Sequence, residues 1–91
     1  MKNNLSLSVV TPGGVILETE CFSVNLIAAD NSLGTGGGSV GIMHGHLPAV
    51  IVLKNPSDVT IKSESGENHI TVNGGFCEVK DNNITIITEK A

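Results

Sequence analysis

Ninety-one residues support one domain near the small end of independently folding units. Hydrophobic residues make up 40% of the chain but only Phe22 and Phe76 are aromatic, so the apolar content is aliphatic and suits pleated, β-branched packing. A net charge of -4, with its basic residues dispersed as Lys2, Lys54, Lys62, Lys80 and Lys90, excludes the basic stripe and stacking platforms that a nucleic acid requires.

Leu5, Leu7 and Val9 alternate with Ser6 and Ser8, the pattern of a half-buried strand and not the continuous apolar core of a signal peptide. Thr11-Pro12-Gly13-Gly14 ends it in a turn, and Val15 to Thr19 forms a second strand. Phe22, Val24, Leu26 and Ala28 alternate with Ser23 and Asn25 in a third. A glycine-rich loop is expected over 30-39, followed by a short extended segment from Val40 to Met43. The continuous run Ala49 to Leu53 suits a strand buried on both faces.

Asn55-Pro56-Ser57-Asp58 turns the chain, and Val59 and Ile61 begin the next strand. That strand closes at Glu64-Ser65-Gly66-Glu67-Asn68 and returns through Ile70 and Val72. Asn73-Gly74-Gly75 separates the return from Phe76 to Lys80, and Asp81-Asn82-Asn83 separates that strand from Ile84 to Thr88. Apolar residues nowhere recur at helical spacing, and no apolar run reaches the roughly 20 residues of a membrane-spanning helix. The expected fold is all-β: a single domain over 1-91, a flattened antiparallel β-sandwich of about nine to ten short strands.

Cys21 and Cys77 are too few to define a disulfide framework and read as reduced thiols. Cys77 shares its phase with Val79, which marks it as small core filler and not a nucleophile. Glu18 and Glu20 on the second strand, and Glu64 and Glu67 beside a hairpin turn, read as solvated charges that keep sheet edges from pairing with other chains.

The segment GIMHGHLP, Gly41 to Pro48, holds two of the three histidines. His44 and His46 have the spacing of ligands on one side of an extended segment, with His69 as a possible third. That defines an alternative reading as a small β-barrel metal-binding protein or metalloenzyme. Against it, Leu47-Pro48-Ala49-Val50-Ile51-Val52-Leu53 supplies no carboxylate. Gly37-Gly38-Ser39-Val40-Gly41 has the offsets of a nucleophile elbow but no helix follows, and the glycine tract lacks the Gly-Lys-Ser/Thr ending of a phosphate loop. The chain carries no catalytic constellation. A third reading, a free-standing adaptor for an unrelated partner, is compatible with the composition but has no motif behind it.

Four segments in order resemble one family. Gly41-Ile42-Met43-His44-Gly45-His46-Leu47-Pro48 resembles the Gly-Ile-Leu-Pro-Gly-His-x-Pro segment of the epsilon subunit of F-type ATP synthase, with His44 in place of a proline. Val72-Asn73-Gly74-Gly75-Phe76-Cys77-Glu78-Val79 is similar to its Val-Ser-Gly-Gly-Phe-x-Glu-Val segment. Leu7 to Gly14 and Asn83 to Ala91 resemble its opening strand and turn and the last strand of its sandwich, while the segment Ala29 to Ser39 is longer than the family's.

The resemblance implies a non-catalytic subunit of the central stalk, with no cofactor, no metal and no small-molecule ligand of its own. It implies a gamma subunit and a c-ring as partners during proton-driven ATP synthesis. It also implies a place on the cytoplasmic side of the membrane, peripheral and held by protein contacts. Carried over by position, Thr11, His46, Leu47, Pro48 and Ile51 fall at the gamma interface. Ser39, Val40, Met43 and His44 fall on the c-ring-facing loop, Ser39 standing where the family has an acidic residue. The family's C-terminal helical hairpin has no counterpart after Thr88-Glu89-Lys90-Ala91, so autoinhibition and nucleotide sensing are not assigned.

Overall fold

The alternation along Leu5, Leu7 and Val9 becomes an interior strand of a sandwich in the computed structural model, which describes residues 4–29 and 38–90. Nine strands run in chain order: β1 (Leu5–Thr11), β2 (Gly14–Cys21), β3 (Ser23–Ala28), β4 (Gly38–Met43), β5 (Ala49–Val52), β6 (Ser57–Ser63), β7 (Gly66–Val72), β8 (Phe76–Lys80) and β9 (Asn83–Ile87). They form a five-stranded sheet, β2-β1-β9-β8-β5, and a four-stranded sheet, β4-β3-β6-β7. No helix occurs among the described residues. The thinnest extent is 20 Å, as two stacked sheets require.

Every strand pair is antiparallel except β1 and β9, which lie parallel with Leu7 beside Ile84 and Val9 beside Ile86. The first and last strands are joined by the whole intervening chain, so their parallel pairing needs no local crossover. Between the sheets, Leu5, Leu7, Val9, Cys77, Val79, Ile84 and Ile86 meet Val24, Leu26, Ile42, Val59, Ile61 and Val72, all at most 2% exposed. Each such aliphatic side chain contributes roughly 1.5–3 kcal/mol through burial. Cys77 is one of them, as its phase with Val79 indicates, and both cysteines are free thiols.

Four expectations need correction. The run Ala49 to Leu53 is not buried on both faces: β5 is an edge strand, its residue Val50 is 65% exposed, and Leu53 lies beyond it in an isolated bridge to Ala28. A continuous apolar run marks a strand but does not say whether a second layer covers its outer face, and here none does. Phe22 is not a strand residue but an exposed corner between the sheets, where its amide donates to the carbonyl of Lys62 at 2.7 Å. Ser39 belongs to β4, paired with Ile27, and not to the loop, whose positions 30–37 lie outside the described residues. Ser57 opens β6 and is fully buried. Its hydroxyl accepts from the amide of Ile27 at 2.9 Å and donates to the carbonyl of the same residue at 3.0 Å. That exchange continues the β3–β6 junction where backbone pairing has ended at Asn25 and Thr60.

The sandwich has two ends. At the Pro12 end lie the β1–β2 turn, the start of β4, the close of β5 and the Asn73–Gly75 connection. At the His44 end lie the β4–β5 loop, the Glu64–Ser65 hairpin and the Asp81–Asn82 turn. In that last turn both residues have positive φ, 51° and 63°, the backbone of a two-residue type I′ hairpin that Asn and Asp tolerate.

Candidate functional site

Loop His44–Pro48 is held at three points. The amide of His46 donates to the carbonyl of Met43 at 3.0 Å, closing a turn around Gly45, whose φ of 86° suits glycine. The amide of Gly45 donates to Oδ1 of Asn82 at 2.8 Å, which ties the loop to the β8–β9 hairpin. His46 Nδ1 stands 2.7 Å from the carbonyl of Leu47. A carbonyl accepts only, so Nδ1 carries the proton and Nε2 is left as an acceptor in the neutral ring. Leu47, 78% exposed, projects from this tethered loop.

The residues expected at a gamma interface are spread across the five-stranded sheet. Thr11 closes β1 at the Pro12 end, where its hydroxyl accepts from the Gly13 amide at 3.2 Å. His46, Leu47 and Pro48 precede β5 at the opposite end. Ile51 pairs with Cys77 on the inner face of the sheet, half-buried against the core. The c-ring set follows β4: Ser39 and Val40 near the Pro12 end, Met43 and His44 at the other. Ser39, Val40 and Met43 share this edge strand and His44 follows directly after it, so a surface laid along β4 and its exit meets them all, whereas one laid on an end loop meets two.

The histidines do not converge. His69 lies on β7, with Nε2 3.0 Å from Glu67 and Nδ1 3.1 Å from the Thr60 hydroxyl. Strand β7 is three places across its sheet from β4, about 14 Å at ordinary strand spacing, too far for one metal ion to span. Among the described residues no three of His, Cys, Asp and Glu are grouped to hold a metal. The metal-binding alternative has no support in this geometry. Nor do the thiols offer a nucleophile: burial pushes Cys77 up to about 12 and raises Cys21 as well.

One surface feature escaped the sequence reading. On the outer face of the five-stranded sheet, Val15 lies opposite Val10, Val10 beside Ile87, Ile87 opposite Phe76 and Phe76 opposite Val52. This apolar row crosses the whole sheet, with Val15, Phe76 and Ile87 each at least 50% exposed. Its signal was an apolar residue on the polar phase of several strands, for instance Val10 one step after Val9. A Cβ at Gly75 would run into the carbonyl of Ile87, so the backbone there lies flat against β9. Beside it a cleft of about 330 Å³ opens between Thr11, Pro12, Phe76 and Ile87.

Fold and surface together define a small two-sheet β-sandwich whose exposed features are a sheet face and its loop ends. The chain belongs to the family of ATP synthase delta/epsilon chain β-sandwich domains, whose model matches residues 4–91. The ATP synthase epsilon chain of Staphylococcus saprophyticus subsp. saprophyticus is 38% identical over 89 residues, 98% of this chain and 61% of that one. The epsilon chain of Staphylococcus aureus strain Newman is 35% identical over 89 residues with the same coverage. The chain thus spans 61% of the length of these relatives. Among the described residues no helix is long and apolar enough to cross a membrane.

Proposed function

We propose that the chain serves as an epsilon subunit in the central stalk of a rotary ATP synthase, coupling the gamma subunit to the c-ring during proton-driven ATP synthesis. The family match across residues 4–91 carries this reading. In this reading the domain is peripheral to the membrane on its cytoplasmic side and is held there by protein partners alone.

Gamma then meets the five-stranded sheet at Thr11 and Ile51 and the loop before β5 at Leu47 and Pro48, with Nε2 of His46 accepting a hydrogen bond from it. The c-ring meets β4 through Ser39, Val40, Met43 and His44. A loop fixed by the Gly45–Asn82 and His46–Met43 bonds loses little freedom on docking, which favours affinity. Calorimetric titration against the gamma subunit from the same source tests the reading. Saturable one-to-one binding with a negative heat-capacity change is expected, since apolar surface is buried. Absence of binding well above micromolar concentration would overturn it.

A further inference from the structure

Among the described residues the two sheets end on four edge strands, β2 and β5 in one, β4 and β7 in the other. An open edge pairs readily with a further strand unless a bulge, a proline, an interior glycine or a short length blunts it. β2 carries a bulge where Val9 and Val10 face Leu17 and Val15. β5 has four residues and follows Pro48. β4 opens on Gly38 at a φ of 136° and has Gly41 in its interior. β7 has none of these devices: it runs for seven residues in unbroken register with β6 and holds neither proline nor lysine.

Pairing with β6 decides which backbone groups β7 turns to its open side. The Lys62 carbonyl accepts from the Phe22 amide on the β3 side, so Lys62 turns its backbone away from β7. Residues directly opposite in an antiparallel pair either both bond to each other or both turn away. Glu67, opposite Lys62, therefore points its amide and carbonyl outward, and so at a period of two do His69 and Thr71. Asn73 continues that parity, and its amide donates to the carbonyl of Lys90 at 3.0 Å. This bond caps the edge just past Val72, and the stretch clear of the cap is Gly66 to Ile70.

We propose that two copies of the free chain pair antiparallel along β7, with Asn68 on the two-fold axis. In that register Glu67 of each copy lies opposite His69 of the other, and the two residues exchange both their backbone bonds. The outward row Ser23, Lys62, Glu67 of one copy then runs on into His69, Thr60 and Asn25 of the second, with a carboxylate between a lysine and an imidazole. Carboxylate and imidazole are matched already within one copy, where His69 Nε2 stands 3.0 Å from Glu67. Moving the axis to His69 opposes the two imidazoles and carries the pairing toward the Asn73–Lys90 cap. Glu67 thus guards this edge against an acidic strand yet fits it to its own copy. The charge of -4 on each chain opposes association, so the dimer forms at high protein concentration. No residue assigned above to gamma or the c-ring takes part, so the pairing is open to the chain whatever its other partners.

Sedimentation equilibrium at rising protein concentration tests this on the wild-type chain, His69→Glu and Glu67→Gln/His69→Glu. The wild type is expected to move from the mass of one chain toward that of two. His69→Glu opposes carboxylates on both sides of the axis and is expected to stay at the mass of one chain. The double variant removes that clash and is expected to regain the shift. Both positions are exposed, and thermal unfolding checks that each variant is folded. Asn68→Cys reads the register, because a residue on the axis has its Cα about 4.5 Å from that of its mate, within disulfide reach. With oxidised glutathione this variant is expected to form a covalent dimer and Ile70→Cys is not, while Cys21 and Cys77 stay buried. A wild type that remains a monomer at every concentration overturns the proposal, as does a dimer that His69→Glu leaves intact. Cross-linking through Ile70→Cys in preference to Asn68→Cys overturns the register.

Discussion

The amide of Gly45 and the side chain of Asn82 meet at 2.8 Å although 37 residues separate them. This bond joins the β4–β5 loop of one connection to the β8–β9 hairpin of another, and it is what gives the His44–Pro48 segment a fixed place at the end of the sandwich. Asn82 does two things at once. Its side chain holds the loop, and its φ of 63° completes the turn.

Those two roles separate by mutation. Asn82→Gly keeps the turn conformation and deletes the acceptor, so a loss of about 1 kcal/mol is expected. Amide exchange at Gly45 should accelerate in step. Asn82→Ala adds a side chain that resists positive φ and should cost about 1 kcal/mol more. Denaturant unfolding and hydrogen exchange read both changes, and equal stability for the two variants would contradict the division.

Gly75 is the position least able to accept a side chain. Its φ is 106°, and an added Cβ would meet the backbone carbonyl of Ile87, which cannot rotate away. Gly75→Ala is expected to destabilise the domain by about 2 kcal/mol or more. Gly13→Ala is the control: its Cβ would come no closer than 3.6 Å to Thr11 Oγ1, and a change within about 0.5 kcal/mol is expected. Thermal unfolding of the pair checks the contrast.

Burial raises the Cys77 thiol to about 12, against an ordinary value of 9.0, and raises Cys21 in the same direction. Above about pH 9 the unfolded chain releases these protons while the folded chain retains them. The contribution is therefore fully present below pH 9 and is lost as the pH rises toward 12. The wild type should lose stability more steeply over that window than Cys21→Ala/Cys77→Ala, and thiol reagents should label it only under unfolding conditions. Parallel pH profiles for the two proteins would argue against this.

Replacing His46 and Pro48 together removes the Nε2 acceptor and frees the backbone before β5. Both residues lie outside the core, so the unfolding midpoint should stay near that of the wild type. Affinity for gamma should fall by a few-fold through lost preorganisation. Isothermal titration of wild type and variant at equal salt decides it, and unchanged affinity would count against a gamma contact at this loop.

Much of the architecture was legible from phase alone. Leu5, Leu7, Val9, Ile84 and Ile86 sit on one parity of their strands, and all are buried. The strand from Phe76 to Lys80 has the bounds its flanking turns predict. Phe22 and Ser57 were misplaced because each lies at a corner, where hydrogen bonds to Lys62 and Ile27 in distant strands outweigh local pattern. The family resemblance was legible too, since its motifs are short and local.

Period-two alternation and turn chemistry act over a few neighbouring residues, which is why the sequence by itself determined the strands, their inward faces and the all-β class. Neighbours within a sheet are another matter. Only the tertiary structure decided that β1 lies parallel to β9, that β5 is an edge, and that Asn82 reaches Gly45. It alone set Val15, Val10, Ile87, Phe76 and Val52 in one line, because register between strands remote in the chain is chosen by the contacts across them and leaves no mark in local spacing.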